Sequence, residues 1–137
     1  MTTGCTFCEI IEGRQLARLI FANEEVVCFF PQEPDVLGHT LITSRRHYHD
    51  LRDCPASVGL AMLKAATLLS RRCESRLDSA GFNLLSANGA VAEQSIMHCH
   101  LHFLPRYFDD AFSAWPQLPG SNADLDDLAA KLRIVSV

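Results

Sequence analysis

The sequence predicts an α+β fold with a mainly antiparallel sheet. Three observations carry that prediction. Short runs rich in β-branched and aromatic residues come in pairs with a hairpin-length gap. One long stretch, residues 55–77, has helical periodicity. Residues 98–104 alternate polar and apolar side chains as a strand does.

The elements follow in chain order. Cys5-x-x-Cys8 opens a small unit with room for one helical turn after the pair. Residues 19–22 and 26–30 read as two strands, and Asn23-Glu24-Glu25 between them has hairpin length. Pro31 and Pro34 force a loop, after which residues 41–43 form a third strand candidate. Residues 44–54 are polar and basic. In the helix from Pro55 to about Leu77, Val58, Met62, Ala65, Leu69 and Cys73 recur on one face. Asp53 is the candidate cap, and Gly81 lies just past the end. Residues 82–87 read as a strand, 88–95 as a loop and 96–105 as another strand. Residues 106–120 lack periodicity, and Asn122 is placed to cap a last helix bearing Leu125, Leu128, Ala129 and Leu132.

The chain has 137 residues, the length of one domain, with 48% hydrophobic and 20% charged residues. Its formal net charge of −4 argues against a nucleic-acid backbone as the main partner, while leaving room for a small phosphorylated ligand. No apolar run approaches the roughly 20 residues that span a bilayer, and the start lacks a basic, then apolar, leader pattern. The expectation is a cytoplasmic protein with no membrane partner, in which the six cysteines are thiols or metal ligands rather than disulfides.

The chemistry concentrates at His98-Cys99-His100-Leu101-His102-Phe103-Leu104. In a strand, His98, His100 and His102 share one face at steps of about 6.6 Å, and Cys99, Leu101 and Phe103 take the other. Two chemistries suit such a row: metal ligation by neighbouring imidazoles, or nucleophilic catalysis by a neutral imidazole whose second nitrogen is fixed by a hydrogen bond. A solvated polar face would more often use Thr, Lys or Glu. The loop from Asn88-Gly89 to Ser95 runs directly into this row, and its backbone amides and the Ser95 hydroxyl are of the kind that meets a phosphate.

This stretch resembles the histidine triad (HIT) family. The row is followed by Pro105-Arg106-Tyr107 and preceded by Gln94-Ser95-Ile96-Met97; Gly81-Phe82-Asn83-Leu84, Cys5-Thr6-Phe7-Cys8-Glu9-Ile10 and Gly38-His39-Thr40-Leu41-Ile42 through Arg46-His47 match further segments. The resemblance spans residues 5 to about 115 and implies one domain over 1–137, with a tail and helix at 116–137. It implies a five-stranded antiparallel sheet with one long helix, paired into a homodimer; the apolar Leu60, Leu63 and Leu68 on a second helix face agree with pairing.

The resemblance also implies purine nucleotide binding, and hydrolysis or transfer at the α-phosphate of nucleoside 5′-phosphate derivatives such as phosphoramidates. His100 occupies the nucleophile's position and His102 that of the residue beside phosphate and leaving group. Gly89, Gln94, Ser95, Gln32 and His39 are the implied substrate-binding positions. The alternatives are a dinucleoside polyphosphate hydrolase and a nucleotide-binding interaction module with little turnover.

Members with the Cys-x-x-Cys opening resemble one another in holding a structural zinc, and the matching ligands are Cys5, Cys8, His47 and His98. Two thiolates and two imidazoles make a closed tetrahedral site. His49 is the rival for His47.

Three positions depart from the pattern. Pro31 stands where members place an Asp or Asn that grips the ribose hydroxyls, leaving Gln32 or Glu33 to reach instead. Ala87 replaces an amide near the α-phosphate. Glu93 replaces a glycine beside Gln94, bringing an acid toward the expected phosphate.

Overall fold

The computed structural model describes residues 4–134. Residues 1–3 and 135–137, the ends of the span expected as one domain, lie outside the described residues. The elements are α1 (Thr6–Ile11), β1 (Leu19–Ala22), β2 (Val26–Phe29), β3 (Thr40–Ser44), α2 (Ala56–Leu77), β4 (Gly81–Leu85), β5 (His100–Arg106) and α3 (Leu125–Leu132). The strands form one sheet in the order β1-β2-β3-β5-β4, and every neighbouring pair is antiparallel. This is the expected α+β architecture.

Strand alternation divides the sheet into two chemical faces. Val26, Cys28, Ile42, Leu101 and Phe103 pack with Met62, Ala65, Leu69 and Cys73 of α2. Each large apolar side chain buried there contributes about 1.5–3 kcal/mol. Val27, Phe29 and Leu41 take the other face, where Phe7 of α1 covers them. His100 and His102 belong to this second face, because they alternate with Leu101 and Phe103.

Several boundaries differ from the sequence expectation. Helix α1 contains Cys8 instead of following the pair: Cys5 is its N-cap, and its sulfur accepts the Cys8 amide at 3.4 Å. Strand β5 begins at His100, not at residue 96. Just before it the Cys99 amide donates to the Tyr48 carbonyl at 2.7 Å, which draws the chain toward the segment after β3. Asp53 does not cap α2. Its carboxylate accepts the His49 and Asp50 amides, and Pro55 occupies the cap position without a side-chain bond. Helix α2 stops at Asp78, which adopts φ 58°, and Gly81 opens β4. Helix α3 is capped by Asp124 instead of Asn122 and buries no residue.

Gly38 fixes how the chain enters β3. Its φ is +86°, and a Cβ there would lie 2.9 Å from the Pro105 ring. The Tyr107 hydroxyl donates to the Leu37 carbonyl at 2.9 Å on the same turn. Glycine's tolerance of positive φ thus seats the next residue, His39, against β5. No helix among the described residues is long and apolar enough to cross a membrane.

Candidate active site and metal-ligating cluster

The three histidines of the row have three different surroundings, and the backbone sets each one. His98 is fully buried. Its Nε2 lies 2.6 Å from the Ser44 carbonyl, so this nitrogen carries the hydrogen and Nδ1 keeps its lone pair. That Nδ1 sits 3.4 Å from Cys5 Sγ and 3.5 Å from Cys8 Sγ. Burial pushes the His98 pKa down to about 4, which keeps the ring neutral.

His47 completes the group. Its Nδ1 lies 3.4 Å from Cys8 Sγ, and the four ligand atoms of Cys5, Cys8, His47 and His98 lie within 4.8 Å of one another. Ideal tetrahedral bonds of 2.3 Å to sulfur and 2.0–2.1 Å to nitrogen give a sulfur–nitrogen edge of roughly 3.5 Å. The three sulfur–nitrogen edges of 3.4–3.5 Å match it, and two thiolates with two imidazoles are the donor set of a tetrahedral zinc ion. His98's bond to the Ser44 carbonyl is the outer contact that such a ligand uses to fix its tautomer. His49 is outside the cluster; its Nδ1 donates to Asp50 at 3.2 Å.

His100 is held by its own strand. Its Nδ1 donates to the His98 carbonyl at 2.6 Å, leaving Nε2 as the nitrogen with a lone pair. The Phe7 ring meets it edge-on at 5.0 Å. Burial lowers its pKa below the ordinary imidazole value, and the nearby His102 adds to the effect.

His102 is oriented through a relay. The Asp35 amide donates to His39 Nδ1 at 3.0 Å, which puts the His39 hydrogen on Nε2. That nitrogen donates to His102 Nδ1 at 3.0 Å, so the His102 hydrogen resides on Nε2. Burial lowers the pKa of both rings, and they remain neutral near pH 7. The row therefore presents a lone pair at His100 and an N–H at His102.

His100 and His102 line a cleft of about 420 Å³ with Ser95 and Gln32. That volume suits a small molecule. Its walls are mostly apolar, with Phe29 and Leu41 from the sheet and Phe7 and Ile10 from α1. The segment tied into the cysteine–histidine cluster is thus also a wall of the cleft.

Other expected site residues lie elsewhere. His39 is only 3% exposed and stands behind His102, outside the cleft lining. Gln94 is buried and braces its loop: Oε1 accepts the Gly89 amide at 2.8 Å, and Nε2 donates to the His49 and Ile96 carbonyls. The amides of Ala92, Glu93 and Gln94 bond to carbonyls within the same turn. The Gly89, Ala92, Glu93 and Gln94 amides are therefore engaged, and Ser95 is the loop residue that reaches the cleft. Glu93 is exposed and outside the lining. Sequence reasoning missed the Asp35 amide and the Ser44 and His98 carbonyls, because backbone groups leave no mark in residue type. Phe7 could have been found, since it lies between the two cysteines.

Comparison with known proteins agrees with this geometry. The HIT domain family model matches residues 12–109. A protein of Arabidopsis thaliana named adenylylsulfatase HINT3 is 35% identical over 132 residues, covering 96% of this chain and 67% of its own length. A zinc-bound histidine triad family protein from Mycobacterium smegmatis superposes with TM-score 0.77 at 30% identity, covering 85% of this chain and 84% of that one. A HIT family protein from Bacillus anthracis superposes with TM-score 0.83 at 27% identity, covering 96% and 94%. Fold, histidine row and family match agree: the chain belongs to the histidine triad (HIT) family.

Proposed function

We propose that this protein is a cytoplasmic nucleotide hydrolase or nucleotidyl transferase that acts at the α-phosphorus of nucleoside 5′-phosphate derivatives. The observation that carries the reading is the pair of fixed tautomers, a lone pair at His100 beside an N–H at His102, in one cleft. His100 Nε2 attacks phosphorus, and the bond from phosphorus to the leaving group breaks. The leaving group takes the proton of His102 Nε2, and the His39 Nε2–H bond to His102 Nδ1 holds the ring with Nε2 toward the cleft. The His100 ring becomes cationic in the nucleotidyl intermediate. Its short Nδ1–H bond to the His98 carbonyl is then charge-assisted and stabilises that state. Water next attacks phosphorus and gives its proton to His102 Nε2, the phosphorus–nitrogen bond breaks, and both His100 and His102 return to their neutral starting tautomers.

Ser95 is the side chain placed to donate to a phosphoryl oxygen. The apolar walls suit a purine base, and Gln32 lies on the nucleoside side. Gly89 and Gln94 shape the loop that carries Ser95. Cys5, Cys8, His47 and His98 would hold a structural zinc, which when bound supplies cross-linking rather than chemistry on the substrate. Buried thiols such as Cys28, Cys73 and Cys99 suit the reducing cytoplasm. The Arabidopsis relative's name points to sulfate as one leaving group, beside amines. The test is a turnover screen of adenosine 5′-phosphoramidate and adenylyl sulfate against dinucleoside polyphosphates. Release of adenosine 5′-monophosphate from the first two supports the reading. No release from any of them overturns it.

The nucleophile must be neutral and its pKa is lowered, so kcat/KM is expected to stay level as pH falls from 8 to the ordinary imidazole value of about 6.5, and to drop only below it. A pH–rate profile checks this. Leu60, Leu63 and Leu68 on α2 are 54%, 52% and 50% exposed, an apolar stripe that suits a second copy. Sedimentation is expected to give about 30 kDa, twice the 15.2 kDa chain.

A further inference from the structure

The end of the cleft away from the histidines has an unusual charge pattern. Among the described residues that line the cleft, none carries a carboxylate, and one carries a fixed charge, Arg18. The polar side chains at that end are Gln15, Arg18 and Gln32. Arg18 forms no ion pair among the described residues, whereas the neighbouring Arg14 is held by Glu12. Its backbone is fixed, because the Arg18 carbonyl accepts the Phe30 amide at 3.1 Å. This sets Arg18 directly across from Phe30, the residue that leads into Pro31 and Gln32.

The sheet register gives the distance. His102 pairs with Leu41, and Leu41 pairs with Phe29. The end of β2 is therefore two strand spacings from β5, roughly 10 Å. An imidazole reaches in from one side, and a guanidinium and carboxamides from the other. Arg18, across from Phe30, lies one strand spacing further, roughly 14 Å from β5 in all, a span that takes a phosphoryl group joined to a phosphorylated pentose. Pro31 offers no side-chain acceptor to a ribose hydroxyl, and no acid in the cleft lining would repel a second anion. Glu33 is exposed and outside the lining.

We propose that Arg18, with Gln15 and Gln32, forms a second anion subsite, and that the preferred ligands are nucleoside 5′-phosphoryl compounds carrying a further phosphate on the ribose. This rests on the nucleotide reading above and narrows it to a substrate class. An unpaired guanidinium on a small phosphate is a charge-assisted contact of bidentate geometry.

The experiment is calorimetric titration of the metal-loaded protein with adenosine 5′-monophosphate, adenosine 3′,5′-bisphosphate and adenosine 2′,5′-bisphosphate. At least one bisphosphate is expected to bind about tenfold or more tightly than the monophosphate, the size of one charged hydrogen-bonding contact. The tighter of the two identifies the ribose position. Arg18→Gln is expected to bring the ratio to about one, and Arg18→Lys to keep part of it. A native ratio near one, or a ratio that persists in Arg18→Gln, overturns the subsite. If the monophosphate binds and the bisphosphates bind no better, only this inference fails. If none of the three binds at millimolar concentration, the nucleotide reading fails with it.

Discussion

His100→Ala is expected to lower turnover by at least about 10³-fold while leaving metal content and melting temperature close to native. The size follows from what is removed. The other imidazoles cannot take over the attack: His98 directs its lone pair at two sulfurs, and His102 receives a hydrogen bond at Nδ1 and carries its hydrogen on Nε2. His102→Ala removes a proton donor and leaves the nucleophile. Its expected loss is about 10²–10⁴-fold, greatest for leaving groups that need protonation. Intact-mass analysis of quenched reactions separates the two variants: a nucleotidyl adduct forms in His102→Ala and is absent in His100→Ala. Added imidazole, free to enter the vacated cleft, is expected to restore part of the His100→Ala activity. Native turnover by His100→Ala would remove the mechanism.

Removal of the metal site is the second large effect. His98→Ala or Cys8→Ser is expected to abolish stoichiometric zinc and to lower unfolding free energy by about 4 kcal/mol, the class of loss seen when a metal site is broken. The loss is expected to be uneven. Helix α2 and the opposite sheet face form a separate core and keep their protection from hydrogen exchange. Residues 5–18 lose theirs, because Cys5 caps α1, Cys8 lies within it, and its Phe7 covers both His98 and His100. Phe7 and Ile10 are also cleft wall, so KM is expected to rise more than kcat falls. Equal protection of residues 5–18 with and without zinc would refute this coupling. Zinc analysis, hydrogen exchange and steady-state kinetics on one preparation suffice.

The parts of this molecule that were legible in sequence are those governed by periodicity. The apolar face of α2 and the alternation of β5 each state which side meets the core, since a pleat or a helical turn repeats regardless of context. The cluster ligands were legible through residue type and resemblance. The tautomers were not. They depend on the Ser44 and His98 carbonyls and the Asp35 amide, and any residue supplies such groups. Caps misled for a related reason. Asp53 and Asn122 have the right chemistry, but Asp53 is committed to the amides of His49 and Asp50, and Asp124 lies nearer to where α3 starts. The bonds of Gln94 were likewise not legible: only three-dimensional placement reveals that its carboxamide braces the turn before Ser95.

Strand β5 also constrains how such a protein can diverge. Its odd and even positions answer to separate demands, one for a dry interior and one for the lining of a cleft, written into a single stretch of chain. A residue inserted or deleted between His100 and Phe103 would exchange the two faces over the remainder of the strand, sending an imidazole into the α2 core and a leucine or phenylalanine into the cleft. No intermediate form keeps either property. Length variation is therefore open to the 107–124 segment and barred from β5, where change must come by substitution, one face at a time.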